Sequence, residues 1–192
     1  MTGATTTRRE QILATAADLF ARRGFHGVSV ADLGAACGIS GPALYKHFAS
    51  KDAVLAEMLV SISEELLTVG RERVAQADGP ADAVARLVEW HVSFALGRRA
   101  LIVVQDRDWS SLPDAAREQV RALQRSYVDL WAAQLRLLDG TGGPLSLDAA
   151  RSQAHAAFGL INSTPHSGLL PDGAMHDLLA GMALRALGVD RA

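Results

Sequence analysis

Residues 37–51 read CGISGPALYKHFASK, and the fold turns on what this stretch does. Gly38, Ser40, Gly41 and Pro42 crowd its first half as in a loop, yet Leu44, Tyr45 and Phe48 follow at helical spacing. Ser40 is placed to cap a helix, and Pro42 falls in that helix's first turn, where a missing N–H costs nothing. Upstream, Ser29 with Asp32 three residues on opens a short helix that closes at Gly38, a residue able to take the positive φ of a sharp turn. A short helix, a glycine-containing turn and a second short helix make a helix-turn-helix. Leu33, Cys37, Ile39 and Leu44 would then point back to hold the pair. Gly41, Pro42 and Ala43 would project outward, thin enough to enter a DNA major groove. Tyr45, Lys46, His47 and Lys51 would flank that groove and meet phosphate oxygens, with the hydroxyl of Ser29 and the helix start at Ser40.

Working outward, TRRE at 7–10 spells a capping box. Ile12, Leu13, Ala16, Leu19 and Phe20 then recur at helical spacing up to Gly24, the natural stop. Ser50 caps a fourth helix with an apolar stripe of Leu55, Met58, Leu59, Ile62 and Leu66. AQADGPAD around Gly79-Pro80 separates this head from the rest. Beyond it, Val84, Leu87, Val88, His91 and Ala95 share a helix face, with Trp90 and Phe94 beside it. SSLP at 110–113 is a further break. A long helix is expected over 114–138, ended by DGTGGP, and two more over 147–163 and 173–187, separated by TPHSGLLPD. No alternation of strand period occurs. The fold class is all-α: an N-terminal three-helix head with a helix-turn-helix, then a helical body, about nine helices in all.

Composition agrees. Of 192 residues, 49% are hydrophobic and 21% charged, as in a globular chain able to bury a core. The apolar run 100–104 is far too short for a membrane span, and the polar N-terminus shows no secretory signal. One cysteine forms no internal disulfide, so a cytoplasmic setting is expected. Net charge is −2, but it is unevenly spread: six Lys/Arg against three Asp/Glu through residue 51, and 13 against 18 thereafter. A basic head on an acidic body suggests that only the head meets a polyanion.

The stretch LFARRGFHGVSVADLGAACGISGPALYKHFASKDAVLAEML resembles the DNA-binding head of the TetR family of bacterial transcriptional regulators along its whole length. LFARRGF, Ser-Val before the second helix, CGIS, LYKHF and the SK that opens the fourth helix carry the resemblance. It implies a DNA-binding domain over 7–67 and a ligand-binding and dimerisation domain over 80–192. It also implies that Tyr45 and His47 contact phosphates and that Lys51 stands at the family's lysine; Ser29 replaces a frequent threonine and keeps the hydroxyl. Gly41 to Ala43 and Lys46 hold no Arg, Asn or Gln for a bidentate base contact. Specificity is therefore expected from Lys46 on guanine, apolar contact with thymine methyls, and DNA shape.

One head buries little DNA, so two on a palindromic operator are expected, with half-sites about 34–36 Å apart set by a two-fold dimer. Ala149, Ala156 and Gly159, with Met175, Leu178, Leu179 and Met182, are the candidate interface, which would pair with a second copy as a four-helix bundle. Between head and dimer helices, Trp90, His91, Phe94, Trp109, Tyr127 and Trp131 gather as a candidate inducer pocket. Any one of them alone reads as plain core before pocket lining, and His91 reads foremost as a hydrogen-bonded core histidine. Arg117, Arg121 and Arg125 step by four: a solvated face paired with Asp114, Glu118 and Asp129, or an anchor for an acidic headgroup, with Arg121 in the pocket set. QDRDWSSLP and INSTPHSGLL resemble stretches of TetR relatives that respond to acyl-CoA esters, which implies an inducer of that kind. Repression is the implied mode.

Two other readings compete: a small helical enzyme, or a ligand-binding protein whose helix-turn-helix is structural. No catalytic residue is identified, since no nucleophile has a base partner. His91, His155, His166 and His176 show no i, i+4 pair for a metal, GTGG at 140–143 lacks the lysine of a phosphate loop, and no cofactor is expected.

Overall fold

The computed structural model describes residues 7–138, 145–166 and 169–189. Among these it has nine α-helices and no strand: α1 (Arg8–Arg23), α2 (Val30–Ala36), α3 (Gly41–Leu44), α4 (Lys51–Ala75), α5 (Pro80–Gly97), α6 (Arg99–Asp108), α7 (Asp114–Leu135), α8 (Leu147–Ile161) and α9 (Asp172–Ala186). Short 3-10 turns lie at Trp109–Ser111 and Thr164–His166. DGTGGP, expected to end the long helix, lies outside the described residues, as does part of TPHSGLLPD. No described helix is long and apolar enough to cross a membrane.

The start signals act as the chemistry predicts. Thr7 and Ser29 each close a full capping box, with Glu10 and Asp32 respectively. The Ser40 hydroxyl accepts from the Ala43 N–H at 3.3 Å, and the Ser50 hydroxyl from the Ala53 N–H at 3.0 Å. Gly24 (φ 77°) ends α1 and Gly38 (φ 67°) turns the chain between α2 and α3, both in a region that penalises any side chain.

Two expectations need correction. The stripe on α4 buries Leu67, while Leu66 is half-buried and its carbonyl accepts from Trp90 Nε1 at 3.3 Å. The break around Gly79-Pro80 falls where expected: α4 runs to Ala75 and α5 starts at Pro80, while Gly70 sits inside α4, where an added Cβ would lie 2.8 Å from the Tyr127 ring. The run 99–108 forms a helix of its own, α6, parted from α5 by Arg98, which leaves helical geometry at φ −128°, ψ 29°.

The chain divides into two compact units: residues 7–62 with 100–120, and residues 63–99 with 121–189. These limits differ from motif limits, for the segment 100–120 groups with the head. The first unit is centred on Ile12, Ala16, Phe20, Leu33, Leu44, Leu55 and Leu59, all at 0–1% exposure. Each buried Leu, Ile or Phe contributes ~1.5–3 kcal/mol. In the second unit α5 packs on both α8 and α9, which also pack on each other.

Candidate nucleic-acid interface and ligand region

Burial of Leu33 and Leu44, with Cys37 and Ile39 half-buried, fixes α2 against α3 as the turn requires. Gly34 sets their separation. A Cβ there would stand 2.9 Å from the Gly41 nitrogen and 2.9 Å from the Ile39 carbonyl oxygen, so only glycine lets the turn backbone lie on α2. The Ile39 N–H in turn donates to the Gly34 carbonyl at 2.9 Å. Sequence reading missed this residue, although a glycine inside a seven-residue helix is itself a signal of close backbone approach.

The outward face carries most of the predicted DNA residues together. Ser29, Ser40, Pro42, Tyr45 and Lys46 are exposed, and Gly41, Ala43 and His47 partly so. Tyr45 is 55% exposed, unusual for an aromatic side chain with no structural demand to be outside. Two members behave differently. The Ser29 hydroxyl is engaged with Asp32, whose carboxyl it holds below the usual range. The Lys51 ammonium donates to the carbonyls of Phe25 and Val28, each at 2.8 Å. Two of its three N–H donors are thus used inside the head.

Further residues hold this face in place. Arg9 forms a bidentate ion pair with Glu57 on α4, donates to the His47 carbonyl and lies 4.2 Å over the Phe48 ring. Arg8 donates to the Cys37 carbonyl at 2.5 Å. At the other end of α1, the Arg107 guanidinium on α6 donates to the carbonyls of Phe20 and Ala21, and the buried Asp108 carboxylate accepts from the Phe25 N–H at 3.2 Å. Part of the head's positive charge therefore serves its own assembly.

In the second unit the structure gathers His91, Phe94, Tyr127 and Trp131, and adds two residues that the sequence did not flag, Phe158 and Asn162. The His91 ring lies parallel to those of Phe158 (4.7 Å) and Tyr127 (5.7 Å), with Trp131 edge-on at 6.0 Å. Its Nδ1 is 3.2 Å from the Tyr127 hydroxyl and its Nε2 3.2 Å from Asn162 Oδ1. A hydroxyl can donate to Nδ1 while Nε2–H donates to the amide oxygen, the tautomer this network selects. Burial lowers the His91 pKa to about 4 and raises that of Tyr127. His91 is thus the hydrogen-bonded core histidine foreseen. Trp109 lies in a 3-10 turn that groups with the other compact unit. Trp90 is half-buried at the edge, donating from Nε1 to the Leu66 carbonyl at 3.3 Å.

The candidate dimer set divides. Met175 and Leu179 are each 4% exposed and face the chain's own core, where α9 packs on α5 and α8. Leu178 (44%), Met182 (41%), Ala156 and Gly159 are exposed, and Ala149 is half-buried.

Against this geometry stand the comparisons with known proteins. Residues 12–58 match the family model of bacterial regulatory proteins, tetR family, and residues 77–187 match that of the tetracyclin repressor-like C-terminal domain. The chain belongs to the TetR family. Both of its regions match that family, as the sequence resemblance implied. Similar to it is the HTH-type transcriptional repressor KstR2 of Rhodococcus jostii, 30% identical over 67% of this chain and 63% of that one. The chain thus spans less than two thirds of that relative's length. A TetR-family regulator from Bordetella parapertussis superposes with a TM-score of 0.81 at 26% identity, covering 98% of this chain and 100% of the other. AibR, solved with isovaleryl coenzyme A and operator DNA, shares the fold at TM-score 0.71 and 21% identity, covering 92% and 97%.

Among the described residues no group of three or more His, Cys, Asp or Glu is placed to hold a metal ion.

Proposed function

We propose that this TetR-family chain is a ligand-responsive repressor that acts in the cytoplasm, binds a palindromic operator as a homodimer, and is released by a small hydrophobic or acyl-CoA-type inducer. Residues 7–67 form its DNA-binding domain and residues 80–192 its ligand-binding and dimerisation domain. The observation that carries the reading is the α2–turn–α3 unit, whose exposed Tyr45 and Lys46 stand beside the thin start of α3 on a head fixed from behind by Arg9 and Lys51. Ser29, Ser40, Gly41, Pro42, Ala43 and His47 complete the DNA face, with Lys51 as its support.

Ala156, Gly159, Leu178 and Met182 supply the outward face for a second copy, with Ala149 at its margin. The inducer occupies the region of His91, Phe94, Tyr127 and Trp131 in a second conformation, whose heads no longer match both half-sites. A differential affinity of ~1–3 kcal/mol between the two states would change operator affinity about 5–150-fold. A thioester inducer is supported by AibR, a relative in fold solved with such a ligand.

The test is footprinting on DNA flanking the chain's own gene, repeated with acyl thioesters of graded length. Protection of an inverted repeat that one thioester abolishes is the expected result. Protection that no thioester alters would remove the inducer class, and absence of any protection at low salt would remove the reading.

A further inference from the structure

Four residues long, α3 is too short to hold its own direction, so its angle is set by whatever grips it from outside. The start is fixed, since Ser40 caps it and Gly34 lets its backbone lie on α2. Leu44, buried, anchors the middle. The far end is a turn through Tyr45, Lys46 and His47, in which the Leu44 carbonyl accepts from the His47 and Phe48 N–H groups at 2.9 and 3.0 Å. The His47 carbonyl, at the close of that turn, accepts from Arg9 on α1.

Every direction of the Arg9 guanidinium is engaged at once. Nε and Nη2 donate to the two carboxylate oxygens of Glu57 on α4, Nη1 donates to the His47 carbonyl, and the group lies 4.2 Å over the ring of the buried Phe48. The Arg9 and Glu57 side chains are 47% and 34% exposed, so as an ion pair they contribute little to stability. Their geometric effect is larger. A carboxylate seated on two nitrogens of the planar fork fixes the plane, and the plane fixes where the third nitrogen points. The carbonyl it points to belongs to the residue directly after Lys46.

We propose that Glu57 and Arg9 are positioning residues for DNA reading: Glu57 sets the plane of the Arg9 guanidinium, and Arg9 sets the angle at which the end of α3 carries Tyr45, Lys46 and His47. Neither acts by touching DNA. The inference rests on the regulator reading for what α3 does, and on the geometry of the head alone for how α3 is held. It makes an acidic residue favour binding to a polyanion, against the sign of its own charge. Charge alone gives the opposite result, because neutralising Glu57 and releasing Arg9 toward phosphates would tighten every duplex.

The experiment compares the full chain with Glu57→Gln and Arg9→Lys, at fixed salt, on a duplex that the parent selects from a random library and on a random-sequence duplex. Glu57→Gln should bind the selected duplex about fivefold more weakly or worse, as loss of one charge-assisted hydrogen bond implies, and its preference over random sequence should shrink. Arg9→Lys keeps the charge and loses the fork, and should show the same loss. Unfolding midpoints should stay near the parent's. Without DNA, amide hydrogen exchange at His47 and Phe48 should quicken about fivefold or more in both variants, with the middle of α1 unchanged. Equal or tighter binding by Glu57→Gln, parental selectivity in Arg9→Lys, or parental exchange at His47 and Phe48 overturns the proposal. A large fall in both midpoints overturns it too, since the pair would then hold the fold and not the angle of α3. Should the parent select no duplex, the regulator reading fails, and the exchange measurement by itself decides whether the pair orders the end of α3.

Discussion

Lys51 Nζ donates to the Phe25 carbonyl at 2.8 Å and lies 4.2 Å from the centroid of the same residue's ring. The first residue of α4 thereby closes the loop between α1 and α2, whose Val28 carbonyl is its second acceptor. Phe25 is 3% exposed and packs edge-on against Phe20, so the ammonium adds a short bond, beside an aromatic core, to a carbonyl that otherwise accepts from the Val28 N–H at 3.4 Å. A residue expected to meet DNA from outside instead holds the DNA-reading face from within.

Replacing Lys51 by methionine keeps the stem and removes both charged hydrogen bonds. Stability should drop by roughly 1–3 kcal/mol, read from denaturant midpoints at constant slope. Specific and random DNA should lose affinity alike, since what is lost is the shape of the head. A variant as stable as the parent would show that the ammonium acts only on DNA.

Gly34→Ala is the sharper test of the turn. The new methyl would stand 2.9 Å from the backbone at Gly41 and Ile39, and backbone yields less readily than a flexible side chain. Overpacking of this kind costs ~1–3 kcal/mol and should tilt α3 away from α2. Operator binding should fall well below that of a control such as Ala35→Ser on the exposed side of the same helix. Full affinity with unchanged unfolding would show that α3 does not need its present distance from α2.

Why the sequence revealed the head and not the body follows from the kind of signal each carries. Caps at Thr7, Ser29 and Ser40 and the positive-φ glycines at 24 and 38 act within a few residues, so composition and spacing suffice to place α1 to α3. Arg9 on Glu57, Arg107 on Phe20 and Lys51 on Phe25 join residues 26 to 87 apart, and nothing local distinguishes such a side chain from a solvated one. Phe158 and Asn162 meet His91 for the same tertiary reason. On α9, the apolar stripe is wider than one face, and only packing on α5 and α8 separates the inward Met175 and Leu179 from the outward Leu178 and Met182.

Lys46 tests base reading. It is exposed at the end of the α3 turn, and Gly41, Pro42 and Ala43 before it carry no side chain able to donate to a base edge. Lys46→Ala should lower discrimination at one base pair by ~1–3 kcal/mol in a binding-site selection. Tyr45→Phe should weaken all sequences alike if its hydroxyl meets a phosphate. An unchanged selected motif for Lys46→Ala would move specificity onto DNA shape alone.

Gly159→Arg places a charge on the exposed face of α8 without entering the core, as nothing lies within 4 Å of the added Cβ. The fold should survive, while the proposed dimer should dissociate because a desolvated, unpaired charge at an interface costs several kcal/mol. Light scattering would report a monomer, and operator affinity would fall with it. A variant that stays dimeric would place the interface elsewhere.

His91 makes stability depend on pH, and the sign is fixed by burial. Desolvation lowers its pKa from 6.5 to about 4, partly opposed by the bond to Asn162. The folded chain therefore binds a proton less readily than the unfolded chain. The resulting stabilisation is whole above about pH 6.5 and is lost as pH falls toward about 4, where the folded histidine also protonates. The shift amounts to ~3 kcal/mol at most. Protonation also places a charge between the faces of Phe158 and Tyr127 and turns Nδ1 from acceptor to donor opposite the Tyr127 hydroxyl, so the stacked cluster should loosen as it titrates. Asp32, Asp82 and Asp129, each held low by a hydrogen-bonded partner, add losses at still lower pH, below their unfolded carboxylate range. Unfolding of the parent and of His91→Gln, followed from pH 8 to about 4.5, separates the two contributions, with the variant flat where the parent slopes. Parallel curves would mean that His91 gains its proton in the folded chain without penalty, and that the aromatic cluster is open to water.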